Sequence, residues 1–278
     1  TIRPREGEIR VTFNGNFNLS VPDLRDYNLM NAEEKLRFER LAGVYTSSTG
    51  GQEEQMRLDI LYNERLAEVK RGVNTYWISQ PLRTSLNQRY NIYLEGGDRA
   101  FRYGVDLRYD NDKGVMKGSG REKVGIKMMF HYRLDQKILI NNELSVDDVK
   151  GDNSPYGSFE KFALQNPYER IYNPVTGEMI RRFTSNNNQN PLLDGNVPNK
   201  DVSRYTEIRD HLTIDWRVNP HLRINARVAL TKKISKEEVY RSPQSYEFDP
   251  ETDPNKKGSY TIKNSAELNL DGNITAQY

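Results

Sequence analysis

About eight stretches of this chain alternate apolar and polar residues with period two, the pattern of a strand with one greasy and one wet face. From Phe101 to Asp110 one face reads Phe101, Tyr103, Val105, Leu107 and Tyr109, and the other Arg102, Gly104, Asp106, Arg108 and Asp110. The first strand, about Glu8 to Ser20, sets Ile9, Val11, Phe13, Phe17 and Leu19 against Arg10, Thr12, Asn14, Asn16 and Asn18. Further strands open near Gln88, Phe101, Val124, Ile138, Arg204, Leu222 and Ile262.

The links between strands carry a second pattern. Gly96-Gly97-Asp98-Arg99, Asp135-Gln136 and Asn219-Pro220-His221 are tight turns. The links at 21–87, 110–121, 150–203 and 235–258 are long. Short and long links alternate, as in outer-membrane barrels, whose turns face the periplasm and whose loops face outward. This reading gives an all-β fold, a segment of antiparallel transmembrane β-barrel, about eight strands of a larger barrel. Its extracellular loops are 21–87, 150–203 and 235–258.

Two short helices are expected in the first loop. Asn31 with Glu34 forms a capping box for Glu33 to Tyr45, and Gly72 ends a second helix over Glu53 to Arg71. The tract Ser185 to Asn190 is expected to be loop.

On this register Phe101, Tyr103, Phe130, Tyr132, Trp216 and Tyr278 collect at the turn ends and face lipid as an interfacial girdle. Arg102, Arg108, Lys127, Arg133, Glu143, Asp215, Arg217, Arg223 and Arg227 face the lumen. Tyr156, Phe159, Tyr168 and Tyr172 in the middle loop are candidate ligand-stacking residues.

Composition permits this reading and removes others. A charged fraction of 29% and a mean hydropathy of −0.87 leave no apolar run of the roughly 20 residues that a spanning helix requires. A barrel survives such averages because only alternate residues meet lipid. The absence of cysteine fits an envelope protein without disulfides. The 41 basic and 39 acidic residues are dispersed, so no nucleic-acid surface is expected. The chain opens at Thr1 and reads as a processed or excised piece.

No catalytic, cofactor or metal signature stands out, and the expectation is a protein without enzyme activity, cofactor or metal. HExxH, GxSxG and Walker sequences do not occur. His131, His211 and His221 lack ligand spacing. Asp110 to Gly114 has part of a calcium-loop pattern but no closing glutamate. The alternative to a barrel is a soluble secreted β-rich module that binds glycan or protein. A small autonomous eight-stranded barrel is disfavoured by the size of the loops.

Five short words then occur in order: Asn74 to Trp77 (NTYW), Gly96-Gly97, Asp110 to Arg121 (DNDKGVMKGSGR), Asn153 to Phe159 (NSPYGSF) and Asn166 to Arg170 (NPYER). Together they resemble the SusC/RagA family of TonB-linked outer-membrane proteins. The resemblance implies a nutrient importer whose plug domain fills a barrel of about 22 strands. It implies a SusD-like surface lipoprotein as partner, the TonB complex reached through an N-terminal part missing here, outer-membrane lipid around the wall, and an oligosaccharide or peptide as ligand. With no plug recognisable, residues 1–278 read as a partial barrel domain.

Overall fold

The computed structural model describes residues 4–135, 137–183 and 188–278. Gln136 of the anticipated turn and Ser185, Asn186 and Asn187 of the polar tract lie outside them. The strands are β1 (Gly7–Ser20), β2 (Ser85–Gly97), β3 (Phe101–Lys113), β4 (Gly120–Leu134), β5 (Ile138–Asp152), β6 (Lys200–Arg217), β7 (Arg223–Arg241) and β8 (Ser259–Gln277). They form one antiparallel 8-stranded sheet in sequence order, with β1 and β8 as open edges.

Register carries the sequence alternation across the sheet, because residues directly opposite in an antiparallel pair share a face. One rung reads Val11, Leu94, Val105, Met128 and Leu144, and the next reads Phe13, Ile92, Leu107, Ile126, Val146 and Ile208. On this face the apolar runs extend from Phe101 to Tyr109, Val124 to Leu134, Ile138 to Val146 and Ala266 to Ala276, the third interrupted by Asn142, which donates to Asp210 of β6 at 2.6 Å. Runs of roughly 9–11 residues are what a tilted strand needs to cross the hydrocarbon core. About 10 residues at ~3.3 Å each, tilted by ~40°, rise about 25 Å, the height of a barrel's apolar band.

Among the described residues no second layer covers the apolar face. Leu268, Leu270 and Ile274 on β8 are 66%, 71% and 76% exposed, and none of Tyr103, Val105, Leu107, Ile126 and Met128 is buried. A soluble sandwich would have closed over this face, since burial of apolar area is what holds such a fold together.

The turns obey their chemistry. At the β2–β3 link the Asp98 carboxylate accepts the backbone N–H groups of Ala100 and Phe101 at 2.8 Å. Gly97 has φ +122°, and a Cβ there would lie 2.2 Å from the Phe101 carbonyl oxygen, so this corner requires glycine. At the β6–β7 link Asn219 accepts from the amides of His221 and Leu222 at 2.9 Å.

The loops are shorter than expected. They span 21–84, 153–199 and 242–258 rather than 21–87, 150–203 and 235–258, and the third link shrinks from 110–121 to 114–119. The missing residues belong to strands. Beyond the apolar runs both faces turn polar, as at Asn111 and Lys113 or Asp148 and Lys150, so the alternation fades while the backbone ladder continues. The wall therefore projects beyond the belt.

The first loop carries α1 (Ala32–Leu41) and α2 (Gln52–Lys70). The capping box is complete, with Asn31 Oδ1 accepting from the Glu34 amide at 2.9 Å and Glu34 accepting from the Asn31 amide at 2.9 Å. Helix α1 ends before Tyr45 because the Ala42 and Val44 amides turn back to the carbonyls of Phe38 and Glu39. Among its described residues the middle loop contains a turn of helix, α3 (Glu160–Ala163).

Candidate functional site

The polar face is a lattice of opposite charges. Lys123 lies 2.9 Å from Asp147, Arg209 spans Asp147 and Glu207 at 2.9 Å each, and Lys127 meets Glu143 at 2.7 Å. Asn91 hydrogen-bonds Asp106, and the His131 ring Nδ1 lies 2.6 Å from Asn141. Asp106, Lys123, Lys127, Glu143, Asp147 and Arg209 line a furrow of about 290 Å³. The nine expected lumen residues, Arg102, Arg108, Lys127, Arg133, Glu143, Asp215, Arg217, Arg223 and Arg227, all take the parity of this face. Arg223 and Asp215 pair across the β6–β7 hairpin. The backbone around Pro4 crosses the same face, where the Arg5 amide donates to Glu95 at 2.8 Å.

The six girdle aromatics occupy the opposite, apolar face at the short-turn ends. Phe101 stacks on Phe130 at 6.2 Å, and the Tyr278 ring lies 6.5 Å from His221. A second aromatic group, unforeseen from the sequence, stands nearer the loop ends. There Tyr90 packs on Phe17 at 5.7 Å and on Tyr109 at 6.3 Å. The signal was present, since Phe17, Tyr90 and Tyr109 carry the right parity.

At the loop end of the wall lies a cavity of about 670 Å³, assembled from the β3–β4, β5–β6 and β7–β8 loops. Its lining includes Tyr156, Lys161, Asp194, Asp201, Arg241 and Glu247. Asp201 and Arg241 have the parity of the polar face and pair at 3.6 Å, so the cavity continues that face at its rim. Gly195 lets the Tyr156 ring lie against the backbone, where an added Cβ would be 2.1 Å from the ring. Sequence reasoning missed this cavity because its lining comes from segments far apart in the chain.

The four proposed stacking residues do not converge. Tyr156 lines the cavity and packs toward Phe162, while Phe159 meets Tyr27 edge-on at 5.5 Å. Tyr172 is exposed, beside a shallow hollow at Arg71 and Pro174. Tyr168 is 3% exposed, which removes it from the surface.

Tyr168 instead belongs to a buried polar hub that joins the first and middle loops. Its hydroxyl donates to Glu39 at 3.1 Å, Tyr45 donates to Glu39 at 2.6 Å, and Arg65 donates to the Tyr45 hydroxyl at 2.6 Å. The Arg65 guanidinium lies 3.5 Å from Glu39 and over the Tyr168 ring at 4.8 Å. Burial, with the Glu39 carboxylate beside it, pushes the Tyr45 hydroxyl up to about 12, and burial raises Tyr168 as well. A carboxylate within the buried side of α1 was the available sequence signal.

Four of the five words noted in the sequence mark joints between the loops, and the fifth, Gly96-Gly97, lies at the β2–β3 turn. Asn74 accepts from the Ala32 amide at 3.0 Å, Thr75 donates to the Glu169 carbonyl at 2.7 Å, and Trp77 donates to the Asn166 carbonyl at 2.9 Å. Ser154 donates to the Lys117 carbonyl at 2.8 Å, and Arg170 pairs with Glu68. Trp77, Phe162, Phe183 and Leu192 form the small apolar core beneath.

Of the partial calcium-loop pattern, Asp110 to Lys113 fall within β3, where Asp110 and Asp112 share one face and Asn111 the other. His131 and His211 sit on the polar wall, and His221 lies in a turn.

An unclosed antiparallel sheet with one apolar and one charged face, capped by loops at one end, is the architecture of a barrel wall segment. No family matches the chain by its sequence pattern, and no curated protein matches it. Solved structures do. The chain superposes on the RagAB peptide transporter with a TM-score of 0.70 at 13% identity, covering 100% of this chain and 37% of that one. For the RagAB peptide importer in the open-open state the values are 0.71, 15%, 99% and 33%. For the closed-closed state they are 0.66, 11%, 100% and 41%. The chain thus shares the β-fold of part of these structures and spans about a third to two fifths of their length.

Proposed function

We propose that this chain is part of the wall of an outer-membrane, TonB-coupled importer that takes up peptides together with a SusD-like surface lipoprotein. The observation that carries this reading is the two-faced sheet. An exposed apolar belt of membrane height backs a face of interleaved cations and carboxylates, and the sheet ends in two open edges. Eight strands would make up about a third of a 22-stranded wall.

Peptide is favoured over neutral sugar by the lining of the rim cavity. Lys161 and Arg241 stand with Asp194, Asp201 and Glu247, a mixed-sign set suited to charged termini and side chains, and Tyr156 is its one aromatic ring among the described residues. A cavity of about 670 Å³ falls within the usual range for small-ligand sites. The interlocked first and middle loops offer a firm platform for a lipoprotein lid.

The test is uptake of labelled peptides and of neutral oligosaccharides by cells carrying the protein in its outer membrane, with and without collapse of the proton gradient. Peptide uptake that requires the gradient, and that falls about tenfold in Lys161→Gln with Glu247→Gln, is expected from losing charge-assisted contacts. Uptake of oligosaccharide alone, unaffected by those substitutions, refutes the peptide assignment.

A further inference from the structure

A second cavity, of about 330 Å³, opens where the first and middle loops meet. One turn of helix stands between it and the rim cavity. Lys161 of α3 lines the rim cavity, and its neighbour Phe162 lines the second. The rings of Tyr156 and Phe162, one from each lining, are 6.4 Å apart. Trp77 and Phe162 are buried and form an aromatic floor, while Leu29, Met30, Tyr76 and Leu164 are exposed around the mouth. The lining is thus apolar where the rim cavity is charged.

Gln165 lines the same cavity and is incompletely bonded. Its Nε2 donates to the Lys161 carbonyl at 3.0 Å, which fixes the other end of the amide as oxygen. That Oε1 is shielded from water and has no hydrogen-bond partner among the described residues. A buried acceptor without a donor is unfavourable, and a ligand that brings an N–H recovers the loss. The terminal torsion of glutamine is broad, so a modest turn of the amide presents this oxygen to the cavity. A volume of about 330 Å³ is at the small end of ligand sites, which suits one large side chain with its peptide units. An apolar hollow with one unspent acceptor matches an apolar residue and its backbone N–H.

We infer that this cavity is a second subsite for peptide. It takes an apolar side chain of a peptide whose charged groups occupy the rim cavity, and the N–H of that apolar residue donates to Gln165 Oε1. The inference rests on the peptide reading proposed above and narrows it: the preferred peptide carries an apolar residue a few positions from a charged one. An extended chain advances ~3.3–3.6 Å per residue, so two or three residues cover the separation of the two rings. Each methylene lost from a filled apolar pocket weakens binding about tenfold or more.

The test is equilibrium binding to the whole protein, purified from its membrane in mild detergent. The probes are pentapeptides with one lysine and one glutamate that differ only in a third residue, which is glycine, alanine, leucine or N-methyl-leucine. The leucine peptide is expected to bind at least about tenfold more tightly than the glycine peptide. The N-methyl form, which lacks the N–H, should bind about fivefold more weakly than leucine. Ala163 lines the cavity, and Ala163→Phe fills it and should abolish the leucine preference. Gln165→Met should abolish the discrimination against N-methyl-leucine while leucine still exceeds glycine, and Lys161→Gln should weaken all four peptides alike. Equal affinity for the glycine and leucine peptides in the native protein, or a leucine preference that survives Ala163→Phe, overturns the inference. Heat-modifiable migration and protease resistance of the loops report whether Ala163→Phe folds. If it does not, the glycine, leucine and N-methyl-leucine comparison on the native protein decides the matter. Binding without side-chain preference refutes the subsite and leaves the peptide reading standing, whereas no binding of any of the four peptides refutes both.

Discussion

Val228 and Ala229 are consecutive small apolar residues on β7, and replacing each with arginine separates a membrane wall from a soluble sheet. Val228 lies on the apolar face, 46% exposed, with Leu212 opposite on β6 and Gly272 opposite on β8. Ala229 lies on the polar face, between His211 and Asp271. Both are the same distance from the turn, so their depth in a membrane is matched. An arginine on the lipid face near the midplane costs about 2–4 kcal/mol. An arginine at 229 gains Asp271 opposite and costs no more than about 0.5 kcal/mol.

The two variants therefore differ by a factor of about 10 or more in folding equilibrium. The assay is denaturant-dependent folding of the protein into lipid vesicles, read by heat-modifiable migration and Trp fluorescence, with outer-membrane yield as the cellular counterpart. Equal costs, or a larger cost at 229, would refute the assignment of faces. In a soluble protein a half-exposed Val228→Arg would be nearly neutral, which is the contrary result.

Glu39→Gln leaves the buried Arg65 guanidinium without its carboxylate, and the joint between the loops should lose about 3 kcal/mol. Hydrogen exchange should then accelerate in α1 and α2 while the strands keep their protection. The raised Tyr45 pKa makes the same joint sensitive to alkali. Its protonated form is the one the folded loops favour, so that stability is intact below the unfolded value near 10 and is lost as pH rises through about 12. Tyrosinate absorbance with protease nicking of the first loop, followed across that range, should show the two events together. Gly195→Ala forces the Tyr156 ring from its place, and a cost of about 1–3 kcal/mol with loss of ligand capture at the rim is expected, checked by loop proteolysis and peptide binding. Gly97→Ala should slow barrel assembly, since it needs a positive φ and collides with the Phe101 carbonyl, whereas Gly96→Ala should assemble at close to the native rate.

The sequence alone determined the strands, their faces and their order in the wall. Period-two alternation is a local property that survives wherever one side of a strand meets an apolar medium and the other meets water. Turn chemistry at Asp98 and Asn219 is local too, as is the capping box at Asn31. Strand ends were illegible for the converse reason. Where β5 passes Asp148 and β7 passes Lys236, both sides are wet and alternation carries no signal, although backbone pairing continues.

Tertiary structure decided what the loops do. Tyr168 reads in isolation as a ring for ligand stacking, and only the approach of the middle loop to α1 and α2 shows that Glu39 and Arg65 enclose it. The rim cavity draws on three loops, so no window of sequence contains it. The cluster of Lys123, Asp147 and Arg209 arises from register alone, because residues tens of positions apart become neighbours only when the strands pair. Local periodicity sets which way a side chain faces, and only the paired sheet sets what stands beside it.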